Sequence, residues 1–307
     1  MNSKTCAVIG LSIVLNLHHI YLVSGANFGR NCQTIDNILL AIQSAIILYL
    51  REELFQESMY KAMESDDRKT REYFNLHLTE YPLERMEFAL STVMKFARPD
   101  SSLVDIGCGT GNLLEQVRAA TPLQTLAGID NSVNYLSKTR ERVPCTTFQG
   151  SILDRDFIES IPDRFDFAVL GAVLHHLIGR TRRHSRKLAM TAMRNSLSLL
   201  KPGGILLIVE PVFYPSILMD TVFYVKKILS RIIPGRIELR HGHNIGAPVV
   251  SYFTNEQLIR MIVALEGASL IDSEIREKRI GAFPASILKR TNTTLVIRKN
   301  TEGRRND

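Results

Sequence analysis

Three glycines and one acid form the most informative cluster of the sequence. Asp105 precedes Gly107, Gly109 and Gly111 in the stretch Val-Asp-Ile-Gly-Cys-Gly-Thr-Gly. Glycines allow a sharp turn and the close approach of a ligand to the backbone. A carboxylate before such a turn repels a pyrophosphate and attracts a cation. The G-x-G-x-G spacing also differs from the G-x-G-x-x-G of dinucleotide sites, so we expect a cationic ligand without phosphate.

A second acid strengthens this expectation. Asp130 ends the apolar stretch Leu126-Ala-Gly-Ile-Asp. In α/β nucleotide sites a carboxylate about 20 residues past the glycine turn accepts hydrogen bonds from ribose hydroxyls. The ligand therefore combines a ribose with positive charge, as S-adenosylmethionine does with its sulfonium and ammonium groups.

The elements that must position these acids have the pattern of a buried parallel sheet. Leu103, Val104 and Ile106 form an apolar strand before the turn, and a helix begins at Asn112. The further predicted strands are Leu126–Asp130, Thr146–Gly150, Phe165–Leu170, Ile205–Val209, Ser269–Arg276 and Thr293–Arg298, of which the last two form an antiparallel pair. Capped helices are predicted from Asn131 or Ser132 and from Thr254, where Gln257 completes a capping box.

The order of these motifs resembles the class I S-adenosylmethionine-dependent methyltransferases. The resemblance rests on the motif D-x-G-x-G-x-G from Asp105, the acid Asp130, the stretch Phe165–Leu177 and the stretch Leu200–Glu210. The match extends roughly from Tyr73 to Lys299 and is greatest with the small-molecule branch. It implies an α/β, Rossmann-like seven-stranded sheet in the order 3-2-1-4-5-7-6, the last strand antiparallel, with helices on both faces. It also implies S-adenosylmethionine as cofactor and in-line methyl transfer to a small acceptor.

The resemblance implies a set of cofactor contacts. Asp105 and the glycines would hold the methionine end, and Asp130 would hold the ribose. Tyr73 and Phe74 would cover the cofactor, with Arg85 available to its carboxylate; packing residues and a solvated charge are the alternatives. The implied contacts are Tyr73, Arg85, Asp105, Gly107, Cys108, Gly109, Gly111, Asp130, Asn131, Ser151, Ile152 and Gly171.

The sequence departs from the family at the adenine position. The family has an acid after the glycine of strand three, whereas this chain has Ser151. The serine hydroxyl can accept the same hydrogen bond, and the backbone N–H of Ile152 can meet the ring. Asp154 is a second candidate for the missing acid. Cys108, inside the turn, is interpreted as a small residue that fits there and not as a reactive thiol.

Two adjacent histidines follow strand four. Ligands of open α/β sheets bind outside the carboxyl ends of the strands, which places His175 and His176 near the transferred methyl group. One of them is a candidate general base, since histidine titrates near neutral pH. The alternative is a packing and capping role for the pair, because this dipeptide is common in the family.

Two segments could contact a membrane or an apolar acceptor. The stretch 212–234 is apolar with basic residues at intervals, which fits an acceptor pocket for an apolar molecule, a helix on a membrane surface, or a helix packed on the core. The run 180–187 is densely basic and fits either a solvated helix start or contact with an anionic substrate or phospholipid headgroups.

The chain divides into three predicted parts. Residues 1–64 are an apolar, helical extension, 65–300 the methyltransferase domain, and 301–307 a disordered tail. The apolar run Cys6–Leu17 resembles a secretory signal, but export would separate the enzyme from a cytosolic cofactor. A membrane-associating helix and an over-long gene start, with translation from Met59, are the two alternatives. We expect a cytoplasmic protein, with membrane association through this segment if the first alternative holds.

Composition limits the partners and the chemistry. The net charge of +7 favours anionic partners such as nucleic acid or a lipid surface. The four scattered cysteines indicate neither a disulfide framework nor a zinc site, and His241 with His243 are too few for a metal. We expect no DNA partner, and RNA is disfavoured by the lack of an aromatic-rich RNA motif. The alternatives are an RNA or protein methyltransferase, a nicotinamide dehydrogenase, and a non-catalytic cofactor-binding scaffold. The oligomeric state is not predicted.

Overall fold

A computed structural model of the chain describes residues 83–232, 249–278 and 289–301. Residues 1–82, which include Tyr73 and Phe74, residues 233–248, which include His241 and His243, and residues 279–288 and 302–307 lie outside the described residues. The expectations placed on them, and the domain limits at 65 and 300, therefore stay predictions.

Seven strands form one mixed sheet. They are β1 (Ser102–Ile106), β2 (Thr125–Asp130), β3 (Thr146–Gln149), β4 (Phe165–Gly171), β5 (Leu200–Tyr214), β6 (Ala268–Lys278) and β7 (Lys289–Lys299). Their order is β3-β2-β1-β4-β5-β7-β6, and β7 runs antiparallel to both of its neighbours. The predicted α/β fold, with its Rossmann-like strand order, is confirmed.

Seven α-helices and two 3-10 helices are described in these ranges. The α-helices are α1 (Glu87–Phe96), α2 (Asn112–Ala120), α3 (Val133–Arg142), α4 (Arg155–Ser160), α5 (Arg182–Ser198), α6 (Ser216–Ile232) and α7 (Asn255–Val263). The 3-10 helices are Leu83–Met86, directly before α1, and Leu174–His176, shortly after β4. The predicted caps are present: Ser132 accepts a hydrogen bond from Tyr135 N, and Thr254 forms a capping box with Gln257.

The central strands are apolar on both faces because helices cover both faces of the sheet. Successive side chains of a strand point to opposite faces. Val104 and Ile106 of β1 belong to one core cluster, with Leu206 of β5, whereas Leu103 belongs to the other, with Leu207. This two-sided burial explains the continuous apolar runs in the sequence.

β5 is longer than predicted at both ends. The sequence indicated a strand over Ile205–Val209 after a turn at Lys201–Gly204, but the strand begins at Leu200 and ends at Tyr214. The turn residues form an irregularity within the strand, and Gly203 adopts a left-handed φ of 79°. The carboxyl end is longer because β7 pairs with β5 as far as Tyr214. The pairing of β4 with β5 ends at Gly171 and Val209, so residues 210–214 continue as a wall beside the end of β4.

Candidate active site

The glycine turn lies against β2 and leaves its backbone open to a ligand. The N–H of Gly107 donates to Ile129 O at 2.7 Å. All three glycines adopt left-handed φ values of 73°, 54° and 80°, which residues other than glycine rarely adopt. A Cβ on Gly107 would lie 2.6 Å from Val173 Cγ2, whereas a Cβ on Gly109 would meet no atom within 4 Å in the described part of the chain. The turn is therefore a cradle that admits a ligand at Gly109.

Asp130 connects this turn to the end of β2. Its Oδ2 accepts a hydrogen bond from Gly109 N at 3.0 Å, and its Oδ1 accepts one from Ser132 N at 2.8 Å. Burial raises the pKa of Asp130, and the backbone N–H bonds from Ser132, Gly109 and Asn131 oppose this effect. Each carboxylate oxygen has capacity for a second hydrogen bond, which ribose hydroxyls can supply.

Asp105 is a buried acid beside the turn. Only 4% of the surface of Asp105 is exposed to solvent. Burial, followed by the negative charge of Asp130, raises the pKa of Asp105 to about 7. An ionised carboxylate in this position is stabilised by a nearby cation. The ammonium group of the methionine end of S-adenosylmethionine provides such a cation, so the residues of the turn fit this cofactor.

Cys108 packs under the turn. Its Sγ lies 3.7 Å from Thr139 Oγ1. Burial raises the pKa of the Cys108 thiol, which keeps it protonated and unreactive. A Cβ on Gly128 of β2 would lie 2.8 Å from this sulfur. The structure therefore supports the interpretation of Cys108 as a small packing residue.

The residues expected near adenine make hydrogen bonds within their own segment. Ser151 Oγ accepts a bond from Leu153 N at 3.2 Å. Asp154 caps α4, because its Oδ1 accepts a bond from Phe157 N. Ile152 is buried in the core. One oxygen of Asp154 is thus used in the helix cap, and the adenine contacts expected of Ser151, Ile152 and Asp154 stay predictions.

A buried histidine–glutamate pair joins the ends of β4 and β5. His175 Nδ1 lies 2.7 Å from Glu210 Oε2, and both side chains are almost fully buried. The other oxygen, Glu210 Oε1, accepts a bond from Leu174 N at 2.6 Å. Glu210 therefore holds both the 3-10 helix Leu174–His176 and the imidazole ring. Sequence reasoning did not identify this role, although an acid directly after the predicted strand Ile205–Val209 was a visible signal.

The two members of the pair are both driven toward their neutral forms. Burial, followed by the positive charges of Arg85 and Arg290, lowers the pKa of His175 to about 3. Burial raises the pKa of Glu210 to about 8, against the backbone N–H bonds that favour its ionised form. Burial also lowers the pKa of His176 well below its usual range. Both histidines are consequently neutral near pH 7.

Aromatic rings extend from His175 to the wall formed by β5. The His175 ring lies 4.0 Å from that of His176 and stacks at 5.3 Å on Tyr252. Tyr252 in turn lies 4.3 Å from Phe213 on β5. The backbone supports this arrangement, because Ser251 N donates to His175 O at 2.8 Å. Sequence reasoning did not identify Tyr252, which is distant from the motifs and lies in no distinctive pattern.

Arg85 and Gly171 lie close to the same edge. Arg85 is half-buried in the first 3-10 helix, and its charge contributes to the lowered pKa values of both histidines. A Cβ on Gly171 would lie 2.5 Å from Met86 Cε. The next residue, Ala172, has a left-handed φ of 59°, which is uncommon outside glycine and is often found at functional sites.

The basic run 180–187 is only partly solvated. Arg182 is buried and donates from Nε to Asp220 of α6 at 2.7 Å and from Nη1 to Ser251 at 2.5 Å. It also donates to Tyr252 O. Arg183 and Lys187 are exposed. Arg182 is thus a structural cation that fastens α5 to α6 and to the segment carrying Tyr252.

α6 has a buried and an exposed apolar face. Phe223 is buried, and Lys227 Nζ donates to Gly179 O at 2.9 Å. Ile217, Tyr224 and Val225 are exposed. The buried residues agree with the packed interpretation of this segment, whereas the membrane-surface and acceptor-pocket interpretations stay predictions. Among residues 83–232, 249–278 and 289–301, each helix is too short or too polar to span a bilayer.

Metal-ligating side chains do not cluster in the described ranges. Residues 83–232, 249–278 and 289–301 contain no group of three or more His, Cys, Asp or Glu side chains that could hold a metal ion.

Comparisons with known proteins agree with the motifs. Residues 104–206 match a family model described as a methyltransferase domain. A trans-aconitate 2-methyltransferase of Klebsiella pneumoniae is 31% identical over 103 residues, 33% of this chain and 39% of the relative. A ribosomal RNA small subunit methyltransferase C of Cronobacter sakazakii is 26% identical over 137 residues, 44% of this chain and 38% of the relative.

The solved structures are more distant. The N-methyltransferase NodS of Bradyrhizobium japonicum, crystallised with S-adenosyl-L-homocysteine, has a TM-score of 0.47 and 16% identity. The alignment covers 75% of this chain and 98% of that one. The chain matches less than half the length of the curated relatives named above.

The family model begins within β1 and ends within β5, so it includes the glycine turn, Asp130 and both histidines. The cofactor of this family is S-adenosylmethionine. The matched segment makes this domain similar to methyltransferase domains, and its seven-stranded order agrees with the order that the resemblance to class I S-adenosylmethionine-dependent methyltransferases implied.

Proposed function

We propose that the protein transfers a methyl group from S-adenosylmethionine to a small-molecule acceptor. The observation that carries this proposal is the adjacency of two half-sites on one edge of the sheet. The acids Asp105 and Asp130 belong to β1 and β2, and the His175–Glu210 pair joins β4 to β5. Since β1 and β4 are neighbours in the sheet, the two half-sites are side by side.

The cofactor half-site binds and orients. Bound S-adenosylmethionine supplies an electrophilic methyl group on its sulfonium. The buried carboxylate of Asp105 pairs with the ammonium of the methionine end, and Asp130 accepts hydrogen bonds from the ribose. Because the methyl group is already activated, the protein contributes mainly proximity, orientation and the exclusion of water.

The acceptor half-site holds a proton acceptor. Glu210 binds Nδ1 of His175, so Nε2 is the remaining nitrogen of the ring. When Glu210 is ionised, Nδ1 donates its proton to it and Nε2 carries the free lone pair. Nε2 of His175 would then accept the proton of an acceptor hydroxyl or amine, and the bound cofactor would supply the methyl group that the acceptor oxygen or nitrogen takes up in place of that proton. Glu210 is a positioning residue in this reaction, and His175 is the candidate catalytic base.

A small acceptor is supported by two observations. The relative that acts on trans-aconitate is a small-molecule methyltransferase by name. The rings of Phe213 and Tyr252 offer an apolar surface beside His175. The acceptor therefore has an apolar part that packs against these rings.

Radiolabelled methyl transfer tests the proposal without a known acceptor. The full chain is incubated with methyl-labelled S-adenosylmethionine and a cell extract separated into small-molecule, RNA and protein fractions. We expect label in the small-molecule fraction, and none with Asp105→Asn as a cofactor-site control. Label only in RNA or protein, or in no fraction, would overturn the proposal.

An RNA substrate is the second candidate function. It is favoured by the net charge of +7 and by the relative named as a ribosomal RNA methyltransferase. RNA binding through basic residues weakens steeply as salt increases. Label in the RNA fraction, together with RNA binding that falls between low and physiological salt, would establish it in place of the small-molecule function.

A further inference from the structure

Arg290 lies on β7, next to the end of β5 that borders the acceptor half-site. It occupies β7 opposite Phe213 of β5, and its guanidinium carbon lies 5.6 Å from the centre of the Phe213 ring. The Phe213 ring contacts Tyr252, which stacks on His175. Contacts between rings thus connect the guanidinium to the candidate base.

Two buried polar atoms on β7 lack partners in the described part of the chain. They are Arg290 Nε, a donor, and Asn292 Oδ1, an acceptor. These residues are two positions apart on one strand, so their side chains point to the same face of the sheet. Buried polar atoms in native proteins are nearly always hydrogen-bonded, because an unsatisfied one is destabilising. An ionised acid group on a ligand would supply the acceptor for Arg290 Nε, and a hydroxyl of a monoprotonated phosphate, or another donor on the same ligand, would satisfy Asn292 Oδ1.

The charge of this region is positive. Arg85 and Arg290 both lower the pKa of His175 after the effect of burial. Burial raises the pKa of Tyr252, and the charges of Arg290 and Arg85 oppose that effect. The nearby histidines are neutral, and Glu210, with a pKa of about 8, is mainly protonated at pH 7. The guanidinium of Arg290 therefore lies near an acid, Glu210, that is mainly protonated at pH 7.

We propose that Arg290 and Asn292 bind an acidic group on the methyl acceptor, so the substrates are small molecules with an apolar body and an acid group. The guanidinium of Arg290 donates to an oxygen of that group, and Asn292 Oδ1 accepts from its hydroxyl or from a neighbouring donor of the acceptor. The apolar body packs on Phe213 and Tyr252. This inference rests on the proposed function and specifies its substrate class.

Binding measurements with matched probes test the inference. The full chain is saturated with S-adenosylhomocysteine and titrated with trans-aconitate, decanoate, decyl phosphate and decanol. We expect at least one acid to bind and decanol to bind weakly or not at all. Carboxylates alone, or the phosphate alone, would define the acid group. Because a hydrogen bond to a charged group contributes about 1.5–3 kcal/mol, Arg290→Gln should weaken the acid roughly tenfold or more, and Arg290→Lys should weaken it less.

Arg298→Gln is the matched control. Arg298 lies on the same strand and also stacks on a phenylalanine, with its guanidinium 5.7 Å from the Phe96 ring. The Arg298→Gln protein should bind the acid as the wild type does. The Asn292→Asp protein should bind it more weakly, because the new carboxylate repels the acid group. Equal binding of decanol and the acids, no binding of any acid, or unchanged acid binding by both Arg290→Gln and Asn292→Asp would overturn the inference. The affinity of each protein for S-adenosylhomocysteine is measured in parallel. If the wild-type protein did not bind S-adenosylhomocysteine, the proposed function itself would be rejected.

Discussion

His175 Nδ1 lies 2.7 Å from Glu210 Oε2, although the two residues belong to different elements and are 35 positions apart. This contact decides which nitrogen of the imidazole ring is free to accept a proton. A protonated Glu210 donates to Nδ1 and leaves the hydrogen on Nε2, whereas an ionised Glu210 accepts from Nδ1 and frees Nε2. The ionisation of the pair therefore controls whether His175 can act as a base.

The first prediction concerns the pH dependence of turnover. Because burial raises the pKa of Glu210 to about 8, kcat at saturating substrates should rise through about pH 8, with an apparent pKa that belongs to the pair. Glu210→Gln should remove this rise, and His175→Ala should lower kcat about 100-fold or more without changing cofactor affinity. Glu266→Gln, an exposed acid, is the control. A profile that is flat from pH 6 to about 9, or that is unchanged in Glu210→Gln, would contradict the base role.

The second prediction concerns Asp105 and stability. Its ordinary pKa is 3.8 and its folded-state pKa is about 7, so the folded protein binds more protons than the unfolded chain between these values. The free energy of unfolding should therefore fall as pH rises from about 4 to 7, by roughly 4 kcal/mol in total from this group.

Asp105→Asn should remove this slope and raise stability at pH 8, while abolishing the binding of S-adenosylhomocysteine. Chemical denaturation of both proteins at several pH values measures the effect. Parallel pH profiles for the two proteins would mean that Asp105 is not a strained buried acid.

The third prediction concerns Asp130. Its oxygens hold Gly109 N and Ser132 N, and the proposal also assigns them to the ribose. Asp130→Ala should weaken S-adenosylhomocysteine roughly tenfold or more, because hydrogen bonds to a charged group are lost. Asp156→Ala, at an exposed position in the first turn of α4, should leave the affinity unchanged. Calorimetric titration measures both, and undiminished affinity in Asp130→Ala would remove the ribose role.

The fourth prediction concerns Arg182. Its side chain bonds to Asp220, Ser251 and the carbonyl of Tyr252. Arg182→Gln leaves these partners incompletely satisfied and should lower the free energy of unfolding by roughly 3 kcal/mol. It should also weaken acceptor binding, since the Tyr252 segment loses its support. Arg183→Gln, at the exposed neighbouring position, should change stability little; equal effects of the two substitutions would contradict the structural role.

The features that the sequence predicted well are local in the chain. The strand before the glycine turn, the acid that ends β2 and the capping box at Thr254 each depend on residues within a short window. Each of these patterns is required by the structure that it predicts. A strand buried on both faces needs a continuous apolar run, and a helix start needs a hydrogen-bond acceptor. The strand order followed from the family resemblance and not from these patterns.

The features that the sequence did not predict arise from pairing between distant segments. Arg290 reaches Phe213 only because β7 pairs with the extended end of β5. Arg182 is buried, and Arg183 is not, because Asp220 and Ser251 meet only the former. A run of basic residues contains no signal that distinguishes these two arginines.

Titration of the full chain with S-adenosylhomocysteine, and separately with NADH, decides which cofactor the site binds. We expect saturable one-to-one binding of S-adenosylhomocysteine that Asp105→Asn abolishes, with no binding of NADH. Binding of NADH, or no binding of S-adenosylhomocysteine, would contradict it.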